Sequence, residues 1–71
     1  MNENKSEITT ALTTTLKLTR AGYDIDHINY AVDPIGDEYC YIIFTNGGSR
    51  KVNVTADSGI ALISDVVRAL I

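Results

Sequence analysis

Residues 38–49 read EYCYIIFTNGGS, and this stretch decides the fold. From Glu38 to Thr45 the residues are mostly aromatic or β-branched, which suits a pleated, half-buried strand. Asn46-Gly47-Gly48-Ser49 then supplies the residues of a tight hairpin turn, where positive φ is needed. A two-residue Gly47-Gly48 loop would return the chain as a further strand over residues 50–55. Upstream, Asp33-Pro34-Ile35-Gly36-Asp37 is a second turn, with proline fixing φ and glycine tolerating positive values. Before it, residues 27–32 alternate, with Ile28, Tyr30 and Val32 set against His27, Asn29 and Ala31. The prediction is a three-stranded antiparallel meander in the order 1-2-3.

Helical patterns flank the strands. Residues 6–21 place Ile8, Ala11, Leu12, Thr15, Leu16 and Leu18 on one face, with Ser6 as N-cap and Gly22 as a left-handed C-terminal cap. The many threonines are weak helix formers, so packing has to hold this segment. A second helix opens after Asp57 or Ser58 and runs to the C-terminus. Its apolar arc of Ile60, Leu62, Ile63, Val66, Val67, Ala69 and Leu70 is wide enough to pack on two neighbours. The fold class read from this order is α+β, α-β-β-β-α, with both helices on one face of the sheet.

Register follows from the turns. A loop over 34–37 sets Tyr30 against Tyr41 and Ile28 against Ile43; a Gly47-Gly48 loop sets Ile43 against Val52 and Tyr41 against Val54. All of these lie on one side, the side expected to meet the helices. The opposite face is then expected to hold a central stripe of Cys40, Ile42 and Phe44, rimmed by His27, Asn29, Asn53 and Lys51. An apolar centre with a polar rim is the layout of a small protein interface.

Composition bounds the rest. The chain has 71 residues, 45% hydrophobic and 21% charged, the ordinary make-up of a globular domain. One domain over residues 1–71 is expected, with 1–5 disordered. No apolar run approaches the ~20 residues that a bilayer span needs. The first residues lack an apolar h-region, so a cytoplasmic location is expected. Nine acidic against six basic residues give −3, which disfavours general polyanion binding.

The element order resembles that of the double-stranded RNA-binding domain. That resemblance implies RNA contacts through helix 1, the loop between strands 1 and 2, and a lysine cluster opening helix 2. Here the loop, Asp33-Pro34-Ile35-Gly36-Asp37-Glu38, is acidic, and Ala56-Asp57-Ser58-Gly59-Ile60 contains no lysine. What remains for an alternative nucleic-acid reading is a basic set of Lys17, Arg20, Arg50 and Lys51.

Catalytic signals are weak. Cys40 and His27 share a face in the register above but stand several residues apart, and a cysteine nucleophile needs its base within hydrogen-bond reach. Asp24, Asp26 and His27 form a short polar run without a second ligand cluster. The sequence contains no GxxxxGK[ST], HExxH or CxxC. One cysteine excludes an internal disulfide. The expectation is a non-enzyme with no metal and no cofactor that binds another protein, a host protein or a second copy of itself. The size class suggests an accessory protein of a phage or mobile element that modulates a host protein such as a defence nuclease. A structural homodimer is the further alternative.

Overall fold

The computed structural model describes residues 4–71. Its elements are α1 (Lys5–Leu16), β1 (Ile25–Val32), β2 (Glu38–Phe44), β3 (Ser49–Asn53) and α2 (Gly59–Arg68). The sheet is three-stranded and antiparallel in the order β1-β2-β3, so the expected α-β-β-β-α class holds. Of the five residues expected to be disordered, Asn4 and Lys5 are ordered parts of the fold, and residues 1–3 lie outside the described chain.

Asn4, not Ser6, caps α1: its side chain accepts the Glu7 N–H at 3.0 Å. The threonines satisfy their hydroxyls inside the helix by donating one turn back. Thr9 donates to the Lys5 carbonyl at 2.7 Å and Thr13 to the Thr9 carbonyl at 2.8 Å. The helix stops at Leu16, short of the expected 21. There the Thr19 hydroxyl takes the Leu16 carbonyl at 2.7 Å and accepts the Gly22 N–H at 3.1 Å. Gly22 is not a left-handed cap, since among the described residues positive φ occurs only at Gly36 and Gly47. Its role is close approach, because a Cβ there would lie 2.4 Å from the Leu16 carbonyl oxygen. The buried row of α1 runs through Thr9 and Leu16, with Ile8 and Leu12 packed against the core. Leu18, expected on that face, is 87% exposed because the helix has already ended.

β1 begins earlier than expected, at Ile25. An irregularity between Ile25 and His27 turns Asp26 and His27 both outward and lets Ile25 and Ile28 both point inward. Ser58 caps α2, accepting the Ala61 N–H at 3.3 Å. At its other end, the Arg50 guanidinium donates to the Ala69 carbonyl, a cation at the negative end of the helix dipole. Leu62 and Val66 are buried, whereas Ile60, expected in the apolar arc, faces solvent.

Both hairpins differ from the expected register. Tyr30 pairs with Cys40 rather than Tyr41, a slip of one residue; Ile43 pairs with Ser49 rather than Val52, a slip of three. The first slip follows from Asp33. Its carboxylate accepts the N–H groups of Ile35 and Asp37, and its own N–H donates to the Asp37 carbonyl. Asp33 therefore belongs to the loop, and Val32 pairs with Glu38. The second slip follows from glycine conformation. A type I′ turn over Gly47-Gly48 needs positive φ at both residues, but only Gly47 has it, at +90°, and the pairing of Ile43 with Ser49, and so of Phe44 with Gly48, leaves three residues in the loop. The loop is Thr45-Asn46-Gly47, closed by Gly47 N–H to the Phe44 carbonyl at 3.0 Å and Phe44 N–H to the Gly48 carbonyl at 2.9 Å.

Both slips are odd, so β2 presents its other face while β1 and β3 keep theirs. Cys40 and Ile42 are fully buried, and Phe44 packs against the core from its edge. They join Leu16, Ile25, Ile28, Val54, Leu62 and Val66 between sheet and helices. One polar clasp closes the end of the molecule where α1 begins. Lys5 bridges the Glu38 carboxylate at 3.1 Å and the Val54 carbonyl at 3.0 Å, and the Tyr30 hydroxyl donates to Glu38.

Candidate binding face

The face of the sheet opposite the helices is built from the other half of each strand. β2 contributes Tyr39, Tyr41 and Ile43. Asn29 and Ala31 of β1 lie on one flank, with His27 at its start; Ser49, Lys51 and Asn53 of β3 lie on the other. Row by row, Asn29 pairs with Tyr41 and Tyr41 with Lys51, while Ala31 pairs with Tyr39 and Tyr39 with Asn53. The expected layout of apolar centre and polar rim is present, but its centre is made of different residues. Cys40, Ile42 and Phe44 are removed from the face by the flip of β2; Asn29, Asn53 and Lys51 are exposed on it.

One signal in the sequence points to this arrangement. A buried tyrosine needs a partner for its hydroxyl, whereas Ile, Cys and Phe need none. Of the two alternating sets on β2, the set containing two tyrosines is the one better left at the surface. The Tyr39 and Tyr41 rings stand 6.1 Å apart between centroids, tilted by 46°. The Lys51 ammonium lies over both, 4.1 Å from the Tyr39 centroid and 5.9 Å from that of Tyr41. This is cation–π geometry, and it holds the one lysine of the face above the rings. His27 and Asp26 pair through Nδ1 and a carboxylate oxygen at the corner of the face.

The carboxylates mostly lie elsewhere. Glu38 points to the helix side, where the Tyr30 hydroxyl and the Lys5 ammonium hold its carboxyl below the usual carboxylate range. The same bond to Glu38, aided by burial, pushes the Tyr30 phenol up to about 12. Asp33 and Asp37 close the first hairpin, and Asp57 and Asp65 lie at α2. Burial, and then the neighbouring Asp65 carboxyl, push Asp57 upward; one of its oxygens is buried without a hydrogen-bond partner.

The alternative basic set is not assembled. Arg50 and Lys51 are consecutive on β3 and so project from opposite faces: Arg50 reaches the Ala69 carbonyl, Lys51 the tyrosines. Lys17 and Arg20 are exposed just beyond α1, on the helix side. Cys40 and His27 are likewise on opposite faces of the sheet. The Cys40 thiol is fully buried, 3.7 Å from the Thr9 hydroxyl, and burial pushes its pKa up, away from the reactive thiolate. Among the described residues no group of three or more His, Cys, Asp or Glu is placed to hold a metal ion. Among them, too, no helix is long and apolar enough to cross a membrane. Comparison with protein-family models, curated proteins and solved structures finds no match to this chain.

Proposed function

We propose that this chain is a non-catalytic protein-binding module and that Tyr39, Tyr41 and Ile43 form its contact surface. The observation that carries this reading is the pair of half-buried tyrosine rings beside Ile43 on the sheet face opposite the core that α1 and α2 cover. Tyrosine suits an interface centre, because each ring supplies a large apolar area with few torsions to freeze and keeps a hydroxyl for the partner. The rim of Asn29, Ser49, Lys51 and Asn53 offers one cation together with amide and hydroxyl groups that donate and accept, and the acidic groups of the molecule are largely turned away. The complementary occupant is another protein with an apolar spot ringed by carboxylate and carbonyl oxygens. The size class of the chain suits an accessory protein of a phage or mobile element that covers a functional surface of a host protein.

The test is an affinity pull-down from bacterial lysate, with and without nuclease, using the parent chain and the Tyr41→Asp variant. The expected result is a nuclease-resistant protein partner lost on Tyr41→Asp, with circular dichroism unchanged. Recovery that disappears with nuclease would move the reading to nucleic acid. A partner retained by Tyr41→Asp would place the contact on another surface. Light scattering at two concentrations distinguishes self-association from a foreign partner.

A further inference from the structure

A cleft of about 340 Å³ lies at the end of the molecule away from the clasp, between the segment before β1, the second hairpin and the end of α2. It opens at the end of the sheet on the helix side and meets the tyrosine face at Ser49 alone. Its lining combines an apolar wall, Phe44 and Leu70, with four polar residues: Asp24, Asn46, Ser49 and Arg50. This mixture of apolar surface with a few convergent polar groups is that of a small-molecule site.

The charges in it are opposite and do not meet. The ion pairs among the described residues are Lys5–Glu38, His27–Asp26 and Arg68–Asp65, so Asp24 and Arg50 line one cleft without forming an ion pair with each other. Both are held from outside it. The Asp24 carbonyl accepts the Thr45 N–H at 2.9 Å, tying its backbone to the hairpin. The Arg50 guanidinium is anchored on the Ala69 carbonyl, which leaves further N–H groups of its fork free to donate. Asn46 is fixed as well: its Oδ1 accepts the Gly48 N–H at 2.8 Å, so the amide N–H groups remain as donors.

We infer that this cleft binds a small zwitterion of the α-amino acid class. Its carboxylate docks on Arg50, its ammonium on Asp24, and an aliphatic side chain lies against Phe44 and Leu70. A ligand bearing both charges completes the line between the two residues. A simple carboxylate leaves Asp24 facing an anion, and a simple amine leaves Arg50 facing a cation. Tethered donors lose less freedom on binding, which favours recognition by so few groups.

Amide NMR titration of the ¹⁵N-labelled chain tests this with leucine, 4-methylpentanoate, 3-methylbutylamine and glucose as probes. Leucine is expected to give saturable shifts at residues 24, 46, 49 and 50, with each single-charge analogue weaker by about tenfold or more, the loss of one charge-assisted contact. Asp24→Asn should abolish the preference for leucine over the carboxylate, and Arg50→Gln its preference over the amine. Absence of saturable shifts with leucine overturns the inference. So does binding of either analogue or glucose as tight as leucine, or an unchanged leucine affinity in Asp24→Asn. Should Arg50→Gln loosen the end of α2, Asp24→Asn and the analogue series decide the matter without it.

Discussion

Phe44 and Tyr41 stand three positions apart on β2, and the pleat sends them to opposite sides of the sheet. Phe44 packs against the core, while Tyr41 lies between Asn29 and Lys51 on the open face. The same substitution therefore has opposite consequences at the two positions. Truncating a fully buried phenylalanine costs about 3–5 kcal/mol; Phe44 is half-buried at the edge of the core, so its loss costs about half of that, and a carboxylate adds part of its desolvation. The total stability at this chain length is roughly 4–10 kcal/mol. Phe44→Asp is expected to melt about 10 °C or more below the parent, whereas Tyr41→Asp keeps its melting temperature within a few degrees. Circular dichroism melts of both variants check this, and a Phe44→Asp protein that melts no lower than Tyr41→Asp would mean that β2 faces the other way.

At the scale of elements, the hairpin between β2 and β3 decides which side of β2 meets the helices. Its three-residue loop depends on one left-handed residue, Gly47 at φ +90°. A side chain in that conformation costs about 1–2 kcal/mol. Gly48 has no positive φ, and a Cβ there would press on Asn46 Oδ1 at 3.1 Å and otherwise make ordinary contact with Phe44. Gly47→Ala is thus expected to destabilise by about 1–2 kcal/mol and Gly48→Ala by less than about 1 kcal/mol. Urea unfolding of the two variants separates this loop from a type I′ turn over Gly47-Gly48, in which both substitutions would be costly. Helix α1 teaches a related point. Its threonines return their hydroxyls to the preceding turn, so a segment of weak propensity remains helical where Thr9 and Leu16 are buried and ends where the Thr19 hydroxyl takes over the Leu16 carbonyl.

For the molecule as a whole, two carboxyl groups respond to acid in opposite directions. Glu38, held below the usual range by Tyr30 and Lys5, contributes stability that is complete above the ordinary carboxylate pKa. That contribution is lost as pH falls through its lowered value. Asp57, pushed upward by burial and by Asp65, favours the fold only while protonated, and its contribution is lost as pH rises through the raised value. Glu38→Gln should therefore melt lower than the parent at neutral pH and lose less on acidification. Asp57→Asn should melt higher at neutral pH, with the difference closing in acid. Thermal melts from neutral to acid pH read both, and parallel curves for parent and Glu38→Gln would show that the clasp between α1 and the sheet contributes nothing.

The element order, the sheet order and most turn positions were legible along the chain, because they rest on local chemistry. Alternation, the residues that open helices and the glycine and proline turns act over a few neighbours. The facing of β2 was not legible in the same way. The expected register placed β1 and β3 consistently with each other, and they remain so after β2 is turned over, since one slip of one residue and another of three cancel in parity. Agreement between the two hairpins therefore tested the outer strands and left the central one free. Its orientation depends on the Asp33 side chain closing one loop, on a single left-handed glycine in the other, and on the helices taking Cys40 and Ile42 while the tyrosines keep their hydroxyls in water. The candidate face inherits the same division. Its rim could be named from the alternation of the outer strands, whereas its centre, and the cleft that joins Asp24 to Arg50, exist only once distant segments pack.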